Sequence, residues 1–80
     1  ARLSPEERQA MIGGMVAKLA ARLDENPDDL EGWLRLVRAY GVLGQRKEAE
    51  AALGRARAAF ADDKPALARL DAAEKDLPAR

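Results

Sequence analysis

Residues 33–44 read Trp-Leu-Arg-Leu-Val-Arg-Ala-Tyr-Gly-Val-Leu-Gly and decide the fold of this 80-residue chain. The large apolar residues of this stretch recur every three or four positions, which places them on one helix face: Trp33, Leu36, Tyr40 and Leu43. Gly44 predicts the end of that helix, because glycine readily adopts the left-handed conformation that closes a helix. The pattern therefore predicts a helix whose apolar stripe packs against a neighbour.

A second helix is predicted over about residues 47–60, after a short connection at Gln45 and Arg46. Its inward positions are mostly alanine, which lets two helix backbones approach closely; they are Ala49, Ala52, Leu53, Ala56 and Phe60. Such a short connection makes the two helices antiparallel neighbours. The central part of the chain therefore predicts a helical hairpin.

A longer helix is predicted upstream, over about residues 5–25. Ser4 and Glu7 have the spacing of a capping box at its start. Its apolar residues predict one buried face, made of Met11, Ile12, Met15, Val16, Leu19 and Leu23. Gly13 and Gly14 each lower helix stability by about 1 kcal/mol relative to alanine. Either another backbone packs closely against these two glycines, which we expect, or the helix is locally weak there.

The helix that contains Trp33 is predicted to span about residues 30–43. Pro27 moves the residue before it away from helical geometry, which separates this helix from the upstream one. Asp28 or Asp29 then caps the helix and complements the positive end of its dipole.

The last helix is predicted over about residues 65–77, between Pro65 and Pro78. One of its sides is apolar and the other charged, so it is expected to shield the end of the stack. The chain contains no Thr and only four β-branched residues, and no stretch alternates with the period of a strand. The sequence thus predicts a single all-α domain over residues 1–80, an antiparallel helical hairpin stack of about four helices.

The charge balance and the missing residue types exclude several kinds of function. Lys plus Arg and Asp plus Glu number 14 each, so no long-range field gathers nucleic acid, and no nucleic-acid partner is expected. The chain has neither Cys nor His, which removes the common nucleophile–base pairs. Because Ser4 is used as a helix cap, we predict neither catalysis nor a cofactor.

An acidic run over residues 24–31 lacks the ligand spacing and central glycine of a calcium-binding loop. Capping explains its aspartates better, so no metal site is predicted. No apolar run approaches the roughly 20 residues that span a bilayer. The chain begins with Ala1 rather than Met, so any membrane anchor is expected upstream, outside these residues.

The spacing of large and small residues over positions 30–63 resembles a tetratricopeptide repeat, a 34-residue unit of two antiparallel helices. The residues that carry this spacing are Trp33, Leu36, Tyr40, Leu43, Gly44, Ala49, Leu53 and Ala56. Val37, Leu53 and Ala61 depart from the family pattern, which has glycine, an aromatic residue and proline there. The resemblance implies one full repeat, preceded by a half-repeat helix and followed by a capping helix.

A narrower resemblance covers residues 11–23, 25–33, 35–40, 43–44 and 65–77. These segments are similar to the periplasmic tetratricopeptide region of the CcmI/CycH family of c-type cytochrome biogenesis proteins. This resemblance implies a periplasmic domain of a membrane-anchored protein, with the cytoplasm as the alternative. It implies apocytochrome c, held chiefly through its C-terminal helix, and subunits of the haem lyase as partners.

The resemblance also implies a peptide-binding surface, because such repeats bind on the concave face that their first helices line. The matching positions are Glu31, Leu34, Arg35, Arg38, Gly41 and Val42. Arg35 and Arg38 lie three residues apart and share a helix face, beside an apolar strip that suits an amphipathic helix or a carboxylate. The alternative is that both arginines are solvated or paired with Asp28 or Glu31. Trp33 and Tyr40 are assigned to the core.

A second function from a different class also fits the sequence. Fewer than three full repeats leave the ends of a stack poorly covered. The apolar edge of the first or last helix is then expected to dock against another copy, forming a homo-oligomer, or against another subunit. Under this alternative the chain is a generic assembly module.

Overall fold

The structure is a computed structural model that describes residues 4–77, apart from the side chains of Gln9 and Ile12. Four helices follow one another: α1 (Pro5–Glu25), α2 (Leu30–Val42), α3 (Arg46–Ala59) and α4 (Lys64–Lys75). No strand occurs in this described range. The predicted all-α helical stack is confirmed, and the predicted helix ends lie within two residues of the observed ones. Pro78, predicted to end the last helix, lies outside the described residues.

The capping signals act as the sequence predicts. The Ser4 hydroxyl accepts a hydrogen bond from the Glu7 amide at 3.1 Å, and the Glu7 carboxylate accepts one from the Ser4 amide at 3.0 Å. Asp29 caps α2 by accepting from a first-turn amide at 3.0 Å. Gly44 has a φ of 74°, the left-handed conformation that ends α2 and turns the chain toward α3.

The core lies between α2 and α3, with contributions from the helices on either side. Trp33 and Leu36 are buried, and Tyr40 and Leu43 pack against them, which confirms the predicted stripe. The residues that α3 buries against this stripe are Ala49, Ala52, Leu53 and Ala56. The other helices bury Val16, Leu23, Ala66 and Leu70. The hairpin of α2 and α3 therefore holds the centre of the domain, as residues 33–60 predict.

The prediction that Met11 and Met15 belong to the buried face of α1 is wrong. Met11 is 56% exposed and Met15 is 67% exposed. Among the described helices α1 packs only against α2, which covers the stripe that contains Val16 and Leu23. The two methionines lie on the adjacent stripe of α1, where the described chain places no helix. Ile12, predicted on the same face, has no described side chain.

The expected close packing at Gly13 and Gly14 is also not found. A Cβ built at either glycine meets no atom within 4 Å in the described part of the chain. The cause is the same, because α2 is the single packing partner of α1 and does not approach these positions closely. The two glycines therefore weaken α1 locally without a packing benefit from the helices described.

The order of the helices places α2 and α4 side by side. The connections at residues 43–45 and 60–63 are short, so α3 returns along α2, and α4 returns along α3. Two successive reversals make α2 and α4 run in the same direction. These two helices also pack against each other, and a cleft lies between them.

Candidate peptide-binding cleft

The cleft between α2 and α4 has a volume of about 410 Å³ and is open to solvent. On the α2 side it is lined by Leu34, Val37, Arg38, Gly41 and Val42. On the α4 side it is lined by Arg69, Ala72, Ala73, Asp76 and Leu77. Its lining is therefore mainly apolar and small, with two arginines and one aspartate as the charged groups. We call it the α2–α4 cleft.

Four of the residues predicted for peptide binding line the α2–α4 cleft. Leu34 and Gly41 are half-buried in it, whereas Val42 is 71% exposed. Arg38 is exposed at the cleft wall. An exposed valine next to small, half-buried residues forms a surface that an apolar side chain of a partner can cover.

Arg35 and Glu31 do not line the cleft. Arg35 is exposed on α2, one turn before Arg38, so the structure separates two arginines that the sequence treats alike. Glu31 instead forms an ion pair with Arg69 across the helix pair, at 2.5 Å. The Glu31 carboxylate, one of the suggested partners of the α2 arginines, thus pairs with Arg69 of α4 instead.

Neither Arg35 nor Arg38 has an ion-pair or hydrogen-bond partner among the side chains of residues 4–77. The alternative that Asp28 or Glu31 pairs with these arginines is therefore not realised in the described chain. A solvated guanidinium at a cleft wall keeps all of its donors for an external carboxylate.

The α4 half of the cleft was missed in the sequence, although a signal for it exists. The 34-residue period of the repeat relates Arg35 to Arg69, Arg38 to Ala72, and Val42 to Asp76. Carrying the α2 positions forward by one period would have identified the facing helix as the second wall. The sequence pattern predicts only that α4 shields the end of the stack, and so does not include α4 in the concave face.

The single tryptophan supports the cleft from behind rather than lining it. The Trp33 indole N–H donates a hydrogen bond to the Pro27 carbonyl at 2.8 Å, which ties the start of α2 to the preceding turn. The Arg55 guanidinium lies 5.2 Å from the centre of the indole ring and also pairs with Asp24 of α1. Trp33 is buried, which confirms its predicted place in the core.

An ion-pair cluster outside the cleft lining connects α4 to α3. One Arg57 nitrogen lies 3.0 Å from Asp71 and 2.6 Å from Glu74. The hydrogen bond to Glu74 is the larger cause, and the one to Asp71 the next, of a pKa of Arg57 above its ordinary value. The cluster is partly exposed, so its main role is to orient α4, while burial of Leu70 supplies the packing.

A second exposed surface lies on α1, which we call the α1 stripe. It contains Met11 and Met15, and three cations recur around them with spacings of three and four residues: Arg8, Lys18 and Arg22. All five residues are exposed. None of these three cations has an ion-pair partner in the part of the chain that the structure describes.

Comparison with known proteins agrees with this architecture. The family model described as tetratricopeptide repeat matches residues 15–74. The chain is 51% identical over 75 residues to the cytochrome c-type biogenesis protein CycH of Bradyrhizobium diazoefficiens, which covers 94% of the chain and 20% of that protein. It is 64% identical over 47 residues to CycH of Rhizobium meliloti, which covers 59% of the chain and 12% of that protein. The chain thus spans a fifth or less of these relatives, and no solved structure matches it.

Proposed function

The chain belongs to the tetratricopeptide repeat family, and from this premise we propose that it is a protein-interaction module of c-type cytochrome maturation. Its α2–α4 cleft binds the C-terminal helix of apocytochrome c and presents that helix to the haem lyase. The module acts in the periplasm as part of a membrane-anchored protein. No helix within residues 4–77 is both long and apolar enough to cross a membrane.

The observation that supports this proposal best is the composition of the α2–α4 cleft. An open cleft with an apolar strip, at Leu34, Val42 and Leu77, matches the apolar face of an amphipathic helix. Arg38 stands beside the strip without a partner among the described side chains, ready for a carboxylate of the ligand. The names of the relatives, both cytochrome c-type biogenesis proteins, support the choice of ligand.

The contact area limits the strength of this interaction. Two helix walls enclose the cleft, and about two turns of a ligand helix fit along it, because Arg69 and Asp76 lie seven residues apart on α4. So short an interface buries less area than a standard stable complex. We therefore expect micromolar or weaker affinity for an isolated peptide, with additional contacts supplied by other regions of a longer protein.

Titration of the 80-residue domain with a C-terminal helix peptide of a c-type cytochrome tests the proposal. A scrambled peptide of the same composition is the control, and calorimetry or fluorescence anisotropy reads out binding. Indistinguishable isotherms for the two peptides would refute the proposed ligand.

Two arginine variants locate the site. Arg38→Gln removes a cation from the cleft wall and should weaken binding about fivefold, equivalent to ~1 kcal/mol for a partly exposed charge-assisted contact. Arg35→Gln is the matched control, since it makes the same change one turn away, outside the cleft lining. Equal losses of peptide affinity in the two variants would place the ligand outside the α2–α4 cleft.

A second function, self-association or docking to another subunit, is supported by the α1 stripe. Among the described side chains of α1, Met11 and Met15 are the exposed large apolar ones, and an apolar pair of this kind is a common contact point between helices. Sedimentation velocity at several concentrations, repeated with Met15→Lys, tests this function. A wild-type chain that remains strictly monomeric at the highest concentration would count against self-association.

A further inference from the structure

The α2–α4 cleft has a direction, because the two helices that form its walls run the same way. Their C-terminal ends, at Val42 and Lys75, therefore lie at one end of the cleft. Each helix carries the equivalent of about half a negative charge at that end. Helix walls that point the same way add their dipoles, whereas antiparallel walls would cancel them.

The charged side chains reinforce this direction. Asp76, the residue that follows α4, lines the cleft at the end where both helices terminate. Arg38 and Arg69 line it nearer the middle and the opposite end. Glu31 offsets one of these two positive charges through its ion pair with Arg69, so the balance there remains positive.

Among the groups that line the cleft, the end marked by Asp76 is negative. Lys75 lies in the last turn of α4 and adds one positive charge outside the cleft lining. The last turn of α2 carries no basic residue. Arg46 and Lys47 begin α3 near the same end, also outside the cleft lining, and Arg46 pairs there with Glu50. Because Arg69 and Asp76 are seven residues apart on one helix, the charge changes sign over about 10 Å.

We infer that the ligand helix lies antiparallel to α2 and α4, with its N-terminal end beside Asp76 and its C-terminal end beside Arg69. This inference rests on the proposed function and adds the orientation of the bound helix. The positive N-terminus of the ligand then meets the acidic end of the cleft, and its negative C-terminus meets the arginines. The reverse orientation would place like charges together at both ends.

The orientation sets the charge pattern that a ligand requires. Carboxylate side chains should lie in the C-terminal half of the bound segment, on the face that turns toward Arg38. A basic residue about two turns earlier would lie beside Asp76. A free C-terminal carboxylate, present when the segment ends a polypeptide chain, adds to the negative charge at the arginine end.

Paramagnetic labels on the ligand test this orientation with the domain as it is. The probe is a synthetic peptide of about 15 residues, roughly four helical turns, from the C-terminal helix of a c-type cytochrome. One sample carries a nitroxide at the peptide N-terminus and a second carries it at the C-terminus. Amide signals of the ¹⁵N-labelled domain then report which end of the cleft lies near the label.

The N-terminal label should cause the larger intensity loss at Gly41 and Leu77, and the C-terminal label the larger loss at Leu34. The reverse pattern, or equal losses with both labels, would overturn the orientation and leave the proposed function intact. Absence of any chemical-shift change with unlabelled peptide would refute the proposed function, and the orientation with it. A scrambled peptide with each label controls for losses caused by random collisions.

Discussion

A single added methyl group at Gly32 should destabilise the domain, although it replaces glycine by the best helix former. Gly32 lies in the first turn of α2, and its amide donates the hydrogen bond to the capping carboxylate of Asp29. A Cβ built at Gly32 would lie 2.7 Å from the second oxygen of that carboxylate and 2.9 Å from a methyl carbon of Leu23. Both distances are below van der Waals contact, so both neighbours must move.

The expected cost follows from those two displacements. Loss of the Asp29 cap costs about 1 kcal/mol. Leu23 is fully buried between α1 and α2, and forcing a methyl group into such packing costs typically 1–3 kcal/mol. The higher helix propensity of alanine returns at most about 1 kcal/mol. Gly32→Ala should therefore lower the free energy of unfolding by about 1–3 kcal/mol.

Gly14→Ala is the matched control, because the same substitution in α1 meets no atom within 4 Å of the new Cβ. It should raise the free energy of unfolding by about 0.5–1 kcal/mol. Urea unfolding followed by far-ultraviolet circular dichroism measures both variants against wild type. A Gly32→Ala variant as stable as wild type, or a gain equal to that of Gly14→Ala, would refute the assigned contacts at the start of α2.

Three further changes test other parts of the structure. Trp33→Phe leaves the Pro27 carbonyl without its donor and should cost about 1–2 kcal/mol in urea unfolding. Ser4→Ala should raise the pKa of Glu7, which hydrogen bonds from the Ser4 amide and hydroxyl now hold below its ordinary value. The stabilisation from Glu7 is present above its ordinary pKa and is lost as pH falls through the lowered folded value, so less stabilisation is lost at acid pH in the variant. A carbon-detected titration of the Glu7 carboxyl group measures the change in its pKa. Leu70→Ala should cost about 2–5 kcal/mol and weaken peptide binding, because Leu70 is fully buried and holds the α4 wall in place.

The fold could be predicted from the sequence because its signals are local. The capping pair at Ser4 and Glu7 and the terminator at Gly44 act within one turn, so they are legible without tertiary information. The exposure of Met11 and Met15 could not be predicted in this way. An apolar residue on a helix shows that a face can be buried, whereas its burial depends on whether a second helix is present to cover it.

The α2 wall of the candidate cleft could be predicted from the sequence, whereas the α4 wall could not be predicted from spacing along α2. Leu34 and Arg38 belong to the helix with the strongest family pattern, so their position on the concave face follows from the repeat. The distinction between Arg35 and Arg38 depends on where α4 packs across α2, which spacing along α2 alone does not specify. The same packing directs Glu31 toward Arg69, a pairing between residues 38 positions apart that no local pattern indicates.

The packing order of the helices has a consequence for folding kinetics. Each helix packs against the next one along the chain, and within residues 4–77 the single packed pair of non-consecutive helices is α2 with α4. Chains dominated by such local contacts fold quickly, on the microsecond to millisecond scale typical of small helical domains. The central hairpin can form from a continuous segment, whereas the cleft comes into existence only when α4 docks onto it. A ligand in the cleft thus stabilises the packing of α4 against α2, the contact between helices that are farthest apart in the sequence. Such a ligand slows unfolding, because it delays the separation of α4 from α2.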